Sequence, residues 1–196
     1  MQTNPIKRAN RSARSSGAVG RFPLCYRALR DLTQGQFILD DSSLPKGEVL
    51  DFGAGPDAIH TKMLREDGYE VTAYDFGDNV TSEIDAQALT RSYEIVIASN
   101  VLNVQEEELI EVTLNQLFDS VKPGGCLLWN YPSSPRYMGL STRQMIQRVM
   151  SLGFVASRRV GGTSSGPVYL CWKSNEPRRG ADPASACGDD THDGST

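Results

Sequence analysis

The run Val49-Leu50-Asp51-Phe52-Gly53-Ala54-Gly55-Pro56-Asp57 sets a carboxylate near the end of an apolar stretch, two glycines in the turn that follows, and a second carboxylate two residues later. Glycine has no Cβ, so a ligand can approach the backbone closely, and a helix start just beyond offers unpaired N–H groups. Counted loosely, the run also matches G-x-G-x-x-A with Ala58 in the last place, the corner that holds a dinucleotide pyrophosphate. Charge separates the two chemistries. Asp51 and Asp57 bracket the turn, and two carboxylates beside a pyrophosphate would repel it by on the order of several kcal/mol in a partly desolvated cleft. A positively charged ligand is favoured instead. Asp75, 24 residues after Asp51, closes the next apolar run, Val71 to Tyr74, where a carboxylate can accept hydrogen bonds from both ribose hydroxyls. Ile84-Asp85-Ala86 stands where a strand end could present a carboxylate to the amino group of an adenine.

Two further segments offer polar side chains at strand ends. Ala98-Ser99-Asn100-Val101-Leu102-Asn103 follows the apolar run Ile95 to Ala98, and Asn130-Tyr131-Pro132-Ser133-Ser134-Pro135-Arg136 follows Cys126 to Asn130. Asn100 and Asn103 cannot act as general bases at neutral pH, so as candidate catalytic residues they serve by position. Tyr131 and Arg136 are the substrate-loop candidates, one able to stack and the other to ion-pair, with Tyr131 also a candidate catalytic group. The bland readings are a strand-turn-helix corner at 51–57, a turn cap at Asp75 and a structural His60.

These residues need elements to position them. From Pro23 to Thr33 the apolar Leu24, Cys25, Ala28, Leu29 and Leu32 share one helical face. Strands are expected over Glu48–Phe52, Val71–Tyr74, Ile95–Ala98 and Cys126–Asn130, the last entered through a Lys122-Pro123-Gly124-Gly125 turn. A helix starting at Pro56 is expected to bury Ala58, Ile59, Met63 and Leu64; one over 109–121 to bury Leu109, Val112, Leu117 and Val121; a third spans Thr142–Leu152. Phe154–Val160 and Val168–Trp172 read as a β-hairpin that adds an antiparallel edge. Alternating strands and helices with short connections imply an α/β domain: a mostly parallel sheet covered on both faces, with ligands at the carboxyl ends of its strands.

The 196 residues suffice for one domain of ordinary size, and the formal net charge of -4 argues against bulk coating of nucleic acid. The ends differ in sign. Seven cations, Lys7 to Arg30, precede the first acid, Asp31, while the last sixteen residues carry four Asp and no Lys or Arg. The organisation expected is a disordered basic arm over 1–20, a domain over 21–173 whose segment 21–47 forms an N-terminal helix and lid region, and a disordered acidic tail over 174–196. Nucleic-acid contact through the basic arm is a possible partner interaction. Cys25, Cys126, Cys171 and Cys187 show no C-x-x-C spacing, so no metal site and reduced thiols are expected. No apolar run of membrane-spanning length is present, and a cytoplasmic location is the default expectation.

Taken in order, VLDFGAGPD, VTAYD, IDA, YEIVIASNVLNV and VKPGG resemble the class I S-adenosylmethionine (SAM)-dependent methyltransferase superfamily over roughly Glu48 to Trp172. SAM carries an ammonium and a sulfonium, in keeping with the acidic corner. The resemblance implies a Rossmann-like three-layer sandwich with a seven-stranded sheet whose last strand is antiparallel. It places Asp51 near the SAM amino group, the 53–55 turn against the methionine part and Asp75 on the ribose. The cofactor set is then Asp51, Gly53, Ala54, Gly55, Asp57, Asp75, Phe76, Asp85, Ala86, Ser99 and Asn100, with the 98–103 segment facing the transferred methyl. Asp57 stands where the superfamily pattern has a third glycine. The 98–103 segment lacks the Pro-Pro-aromatic motif of amino-methyltransferases acting on nucleic acids, and there is no Pro-Cys pair for covalent attack on cytosine. The acceptor is thus a small molecule or nucleotide, or a nucleic acid recruited by the arm. The rivals are a SAM-binding protein without catalysis and a nucleotide-dependent oxidoreductase.

Overall fold

The computed structural model describes residues 24–34, 44, 47–133 and 139–175. The basic arm, Arg136, Cys187 and nearly all of the acidic tail lie outside the described residues. Helix α1 (Leu24–Thr33) is followed by β1 (Val49–Phe52), α2 (Ile59–Glu66), β2 (Val71–Tyr74), β3 (Tyr93–Ala98), α3 (Glu107–Ser120), β4 (Val121–Asn130), α4 (Thr142–Ser151), β5 (Phe154–Gly162) and β6 (Pro167–Lys173). Among the described residues no helix is long and apolar enough to cross a membrane.

The strands form one sheet in the order β2-β1-β3-β4-β6-β5. β1 to β4 are mutually parallel, and β6 runs antiparallel to both β4 and β5. Only β6 is therefore reversed, and the hairpin's second strand lies inside the sheet, with β5 at its edge. Side chains alternate across the pleat. Ile95, Ile97, Cys126 and Leu128 pack with Cys25, Leu29 and Leu64 on the α1/α2 face. Val96, Ala98, Leu127 and Trp129 pack with Ile110, Leu114, Leu117, Met145 and Val149 on the α3/α4 face. Helices thus cover both faces, which is why the strands read as continuous apolar runs.

Among the described residues the sheet has six strands, not the seven that the superfamily resemblance implied. Between β2 and β3 the chain makes two single turns of 3₁₀-helix, Gly77–Asn79 and Ala88–Thr90, and meets β2 through the Asp85 amide, which donates to the Ala73 carbonyl at 2.9 Å. Residues 80–87 hold two large apolar residues, Val80 and Ile84, of which Val80 is exposed, and too little alternation to bury one face of a strand.

Other local expectations shift for physical reasons. Pro56 does not open α2: the Ala58 amide donates to the Gly55 carbonyl at 3.1 Å, closing a separate turn, and Ala58 takes a left-handed φ of 45° before the helix starts at Ile59. That rotation buries Thr61 with Leu64 and leaves Ile59 and Met63 exposed. In α3 the buried positions are Ile110, Thr113, Leu114, Leu117 and Ser120, while Val112 is 55% exposed. The 3.6-residue period fits both phases, and contact with β3 and β4 selects this one. Residues 122–125 belong to β4, with a register irregularity where it leaves β3. Helix α4 starts on a capping box between Ser141 and Gln144, which satisfies N–H groups that have no partner in the first turn.

Candidate functional site

Because β1 to β4 are parallel, Phe52, Tyr74, Ala98 and Asn130 end at the same edge of the sheet, and the loops beyond them converge. The glycine turn is pinned to β2: the amides of Gly53 and Ala54 donate to the Tyr74 carbonyl at 2.8 and 3.0 Å. The two glycines differ in role. A Cβ on Gly53, at φ +84°, would lie 2.6 Å from Cγ2 of Val101, so this position is glycine because the loop after β3 packs on it. A Cβ on Gly55, at φ +76°, would meet nothing within 4 Å. Gly55 is the open backbone of the corner.

Asp51 is fully buried on the α1/α2 face. The Tyr26 hydroxyl of α1 donates to its Oδ1 at 2.5 Å, and the Thr61 hydroxyl of α2 donates to its Oδ2 at 2.6 Å. Burial outweighs these two donors and lifts the Asp51 carboxyl to about 6, with the negative charge of Asp75 pushing the same way. Asp75 accepts from the Gly55 amide at 2.7 Å through Oδ2, and from the Phe76 amide at 2.7 Å and Asn79 Nδ2 at 3.2 Å through Oδ1. The carboxylate that shares the corner with Asp51 is thus Asp75, whereas Asp57 is exposed on the turn. Two buried acids repelling each other form a site that a cation relieves and a phosphate aggravates.

The remaining site candidates fall into three groups. Ser99 and Asn100 follow β3 directly; Asn100 adopts φ 58°, its amide donates to Asn130 Oδ1 at 2.7 Å, and its own Oδ1 accepts from Asn130 Nδ2 at 2.9 Å. Burial raises the Cys25 thiol, whose sulfur donates to the same Asn130 oxygen at 3.6 Å, to about 12. Asp85 accepts from the Gln87 amide at 2.8 Å and from Arg91 at 2.6 Å, with Ala86 exposed beside it. Tyr131 turns inward: its ring is buried, its hydroxyl donates to the Leu140 carbonyl at 3.0 Å, and burial raises it to about 12. A phenol held this way is a poor base at neutral pH. Asn103 keeps a buried Oδ1 without a partner.

Three residues that hold Asp51 and Asn100 in place carry no sign of that contact in the sequence. Tyr26 sits among the apolar residues of α1, and Thr61 lies inside a helix read in another phase. Asn130 opens the polar 130–136 segment, but nothing in its type or spacing marks its bonds to Asn100. Their roles arise from contacts between distant segments, up to 105 residues apart for Cys25 and Asn130.

An open, mostly parallel sheet with an acid-flanked glycine corner at its carboxyl edge defines a class I SAM-dependent methyltransferase. The chain belongs to the methyltransferase domain family, whose model matches residues 26–160. It is similar in fold to 1,6-didemethyltoxoflavin-N1-methyltransferase from Burkholderia thailandensis, with 20% identity over 89% of this chain and 92% of that one and a TM-score of 0.57. A TehB-like SAM-dependent methyltransferase from Corynebacterium glutamicum shares 15% identity over 87% of this chain and 100% of that one, with a TM-score of 0.57. A SAM-dependent methyltransferase from Archaeoglobus fulgidus shares 10% identity over 75% and 93%, with a TM-score of 0.53. No protein of curated function matches the chain by sequence.

Proposed function

We propose that this methyltransferase acts on a small-molecule acceptor, and that its catalysis rests on positioning. The observation that carries the cofactor geometry is the corner itself, where Gly55 is open and Asp51 and Asp75 are buried beside it. In this reading Asp51 takes the SAM ammonium, the 53–55 turn carries the methionine part, and Asp75 holds the ribose. Asp85 and Ala86 lie toward the base. Ser99 and Asn100 face the sulfonium end, with Asn103 behind them.

Bound SAM supplies an electrophilic methyl group. The chain's own residues orient it: buried carboxylates fix one end, and the left-handed Asn100, held by Asn130, shapes the wall at the other. Ordering of this kind lowers the barrier through proximity and exclusion of water. A small acceptor is supported by the similar fold of an N1-methyltransferase whose name specifies 1,6-didemethyltoxoflavin. The basic arm supports the second reading, a nucleic-acid acceptor, by charge alone.

The test is incubation of the full chain with methyl-labelled SAM and cell extract, followed by separation into nucleic-acid, protein and small-molecule fractions. Label in the small-molecule fraction supports the proposal. Label confined to nucleic acid, and lost when residues 1–20 are removed, establishes the second reading instead.

A further inference from the structure

Two consecutive residues of α1, Cys25 and Tyr26, are both buried and reach different strands. Tyr26 donates to Asp51 of β1, and the Cys25 sulfur donates at 3.6 Å to Oδ1 of Asn130, the last residue of β4. β3 lies between those two strands, and Asn100 follows it. The first turn of α1 therefore spans the ends of three neighbouring strands, and the cysteine makes its contact on the far side of β3 from the glycine corner.

Asn100 sits at φ 58°, a left-handed conformation that strains a residue with a Cβ. Asparagine bears that strain better than most residues, and it persists where surrounding contacts determine it. Here two of those contacts come from one side chain. Asn130 Oδ1 accepts from the Asn100 amide at 2.7 Å, and Asn130 Nδ2 donates to Asn100 Oδ1 at 2.9 Å. Turned over by half a rotation, the Asn130 amide would set its NH2 group against the Asn100 N–H. The donors aimed at its oxygen hold it the right way round, and the Cys25 thiol is the second of them. Burial raises that thiol to about 12, so it stays protonated and remains a donor at neutral pH.

We propose that Cys25 is a positioning residue for methyl transfer: by fixing the amide of Asn130, it holds Asn100 in the conformation that walls the sulfonium end of SAM. This rests on the placement of Asn100 beside the sulfonium. Cys25 is fully buried, so its effect passes through Asn130 and not through contact with the ligand. A hydroxyl in the same place also donates, which separates this role from the filling of space. SAM and S-adenosylhomocysteine differ by the methyl group and the charge it brings. The ratio of their affinities therefore reads the wall at the sulfonium, because contributions from the rest of the ligand and from general stability cancel.

The test compares the full chain as wild type, Cys25→Ala, Cys25→Val and Cys25→Ser, the valine form filling the space without a donor. Isothermal titration with SAM and with S-adenosylhomocysteine gives the affinity ratio. Amide hydrogen exchange followed by NMR gives the rate at Asn100 relative to Ile97, which lies buried in β3. In Cys25→Ala and Cys25→Val the affinity ratio shifts roughly threefold and the Asn100 amide exchanges roughly threefold faster relative to Ile97, the size of one weak hydrogen bond; Cys25→Ser returns both to within about twofold of wild type. Both quantities unchanged in the folded donor-free variants, or a Cys25→Ser that behaves as they do, overturns the proposal. Faster exchange with an unchanged affinity ratio overturns it as well, since Asn100 then does not wall the sulfonium. Binding of neither compound to wild type overturns the cofactor assignment, a result that failure of the Cys25 role alone does not produce.

Discussion

The hydroxyl of Tyr26 donates to Oδ1 of Asp51 at 2.5 Å, joining the N-terminal helix to the carboxylate near the end of the first strand. Both residues are buried, 2% and 0% exposed, so the bond lies where water cannot replace it. The first helix is therefore tied to the buried carboxylate of the glycine corner.

Removal of that hydroxyl is expected to act on binding as well as on stability. Tyr26→Phe takes away a donor that favours ionised Asp51, so the carboxyl rises further above about 6 and is less charged at neutral pH. The expected loss is about 1–3 kcal/mol in stability, with weaker S-adenosylhomocysteine binding at pH 7 that recovers by pH 8.5. Denaturant unfolding and titration calorimetry measure the two effects. Unchanged affinity at pH 7 would remove Asp51 from the ammonium role.

The pH dependence of Asp51 has opposite signs for stability and for ligand. Its carboxyl is raised from 3.8 to about 6, so across that interval the folded chain keeps a proton that the unfolded chain has released. Stability contributed by this group is full below the unfolded value and falls as pH rises through the folded one, by about 3 kcal/mol for a shift of roughly two units. Cofactor affinity climbs over the same interval, because the ammonium pairs with the ionised carboxylate. Thermal unfolding from pH 4 to 7.5 shows the first slope and calorimetry the second; in Asp51→Asn both should flatten.

The two glycines of the turn are expected to fail differently. Gly53→Ala places a methyl group 2.6 Å from Val101 Cγ2 at a left-handed φ, an overpacking expected to destabilise by about 2–4 kcal/mol. The added change Val101→Ala should recover part of that loss. Gly55→Ala meets no atom within 4 Å, so its stability loss stays near 1 kcal/mol while ligand affinity falls at least about tenfold. Equal stability losses at the two positions would contradict the assignment of Gly55 as the open face.

Asn130 holds Asn100 through two hydrogen bonds, and the two residues should not be interchangeable in mutation. Asn130→Ala leaves the Asn100 amide and Oδ1 without these partners, with an expected loss of about 1–3 kcal/mol and weaker S-adenosylhomocysteine binding. Asn100→Gly keeps both the φ of 58° and the amide bond to Asn130, so its effect should be smaller on both counts. Paired unfolding and calorimetry on the two variants give the ranking. A more damaging Asn100→Gly would mean that the Asn100 side chain itself touches the ligand.

Local chemistry alone determined the corner of this protein. Asp51, Gly53, Gly55 and Asp75 are recognisable because a carboxylate at a strand end and a glycine at a turn are properties of adjacent residues. The strands at 49–52 and 71–74 follow from apolar runs bounded by turn residues in the same way. Tertiary structure decided whatever depends on the other side of a contact. The phases of α2 and α3 were open because their helical periodicity fits two faces, and the sheet chose between them. Among the described residues no seventh strand forms, because 80–87 cannot bury a face. Tyr26 and Thr61 reach Asp51, and Asn130 reaches Asn100, only through packing between separate segments, and hydrogen bonds of that kind leave no period or spacing along the chain to be read.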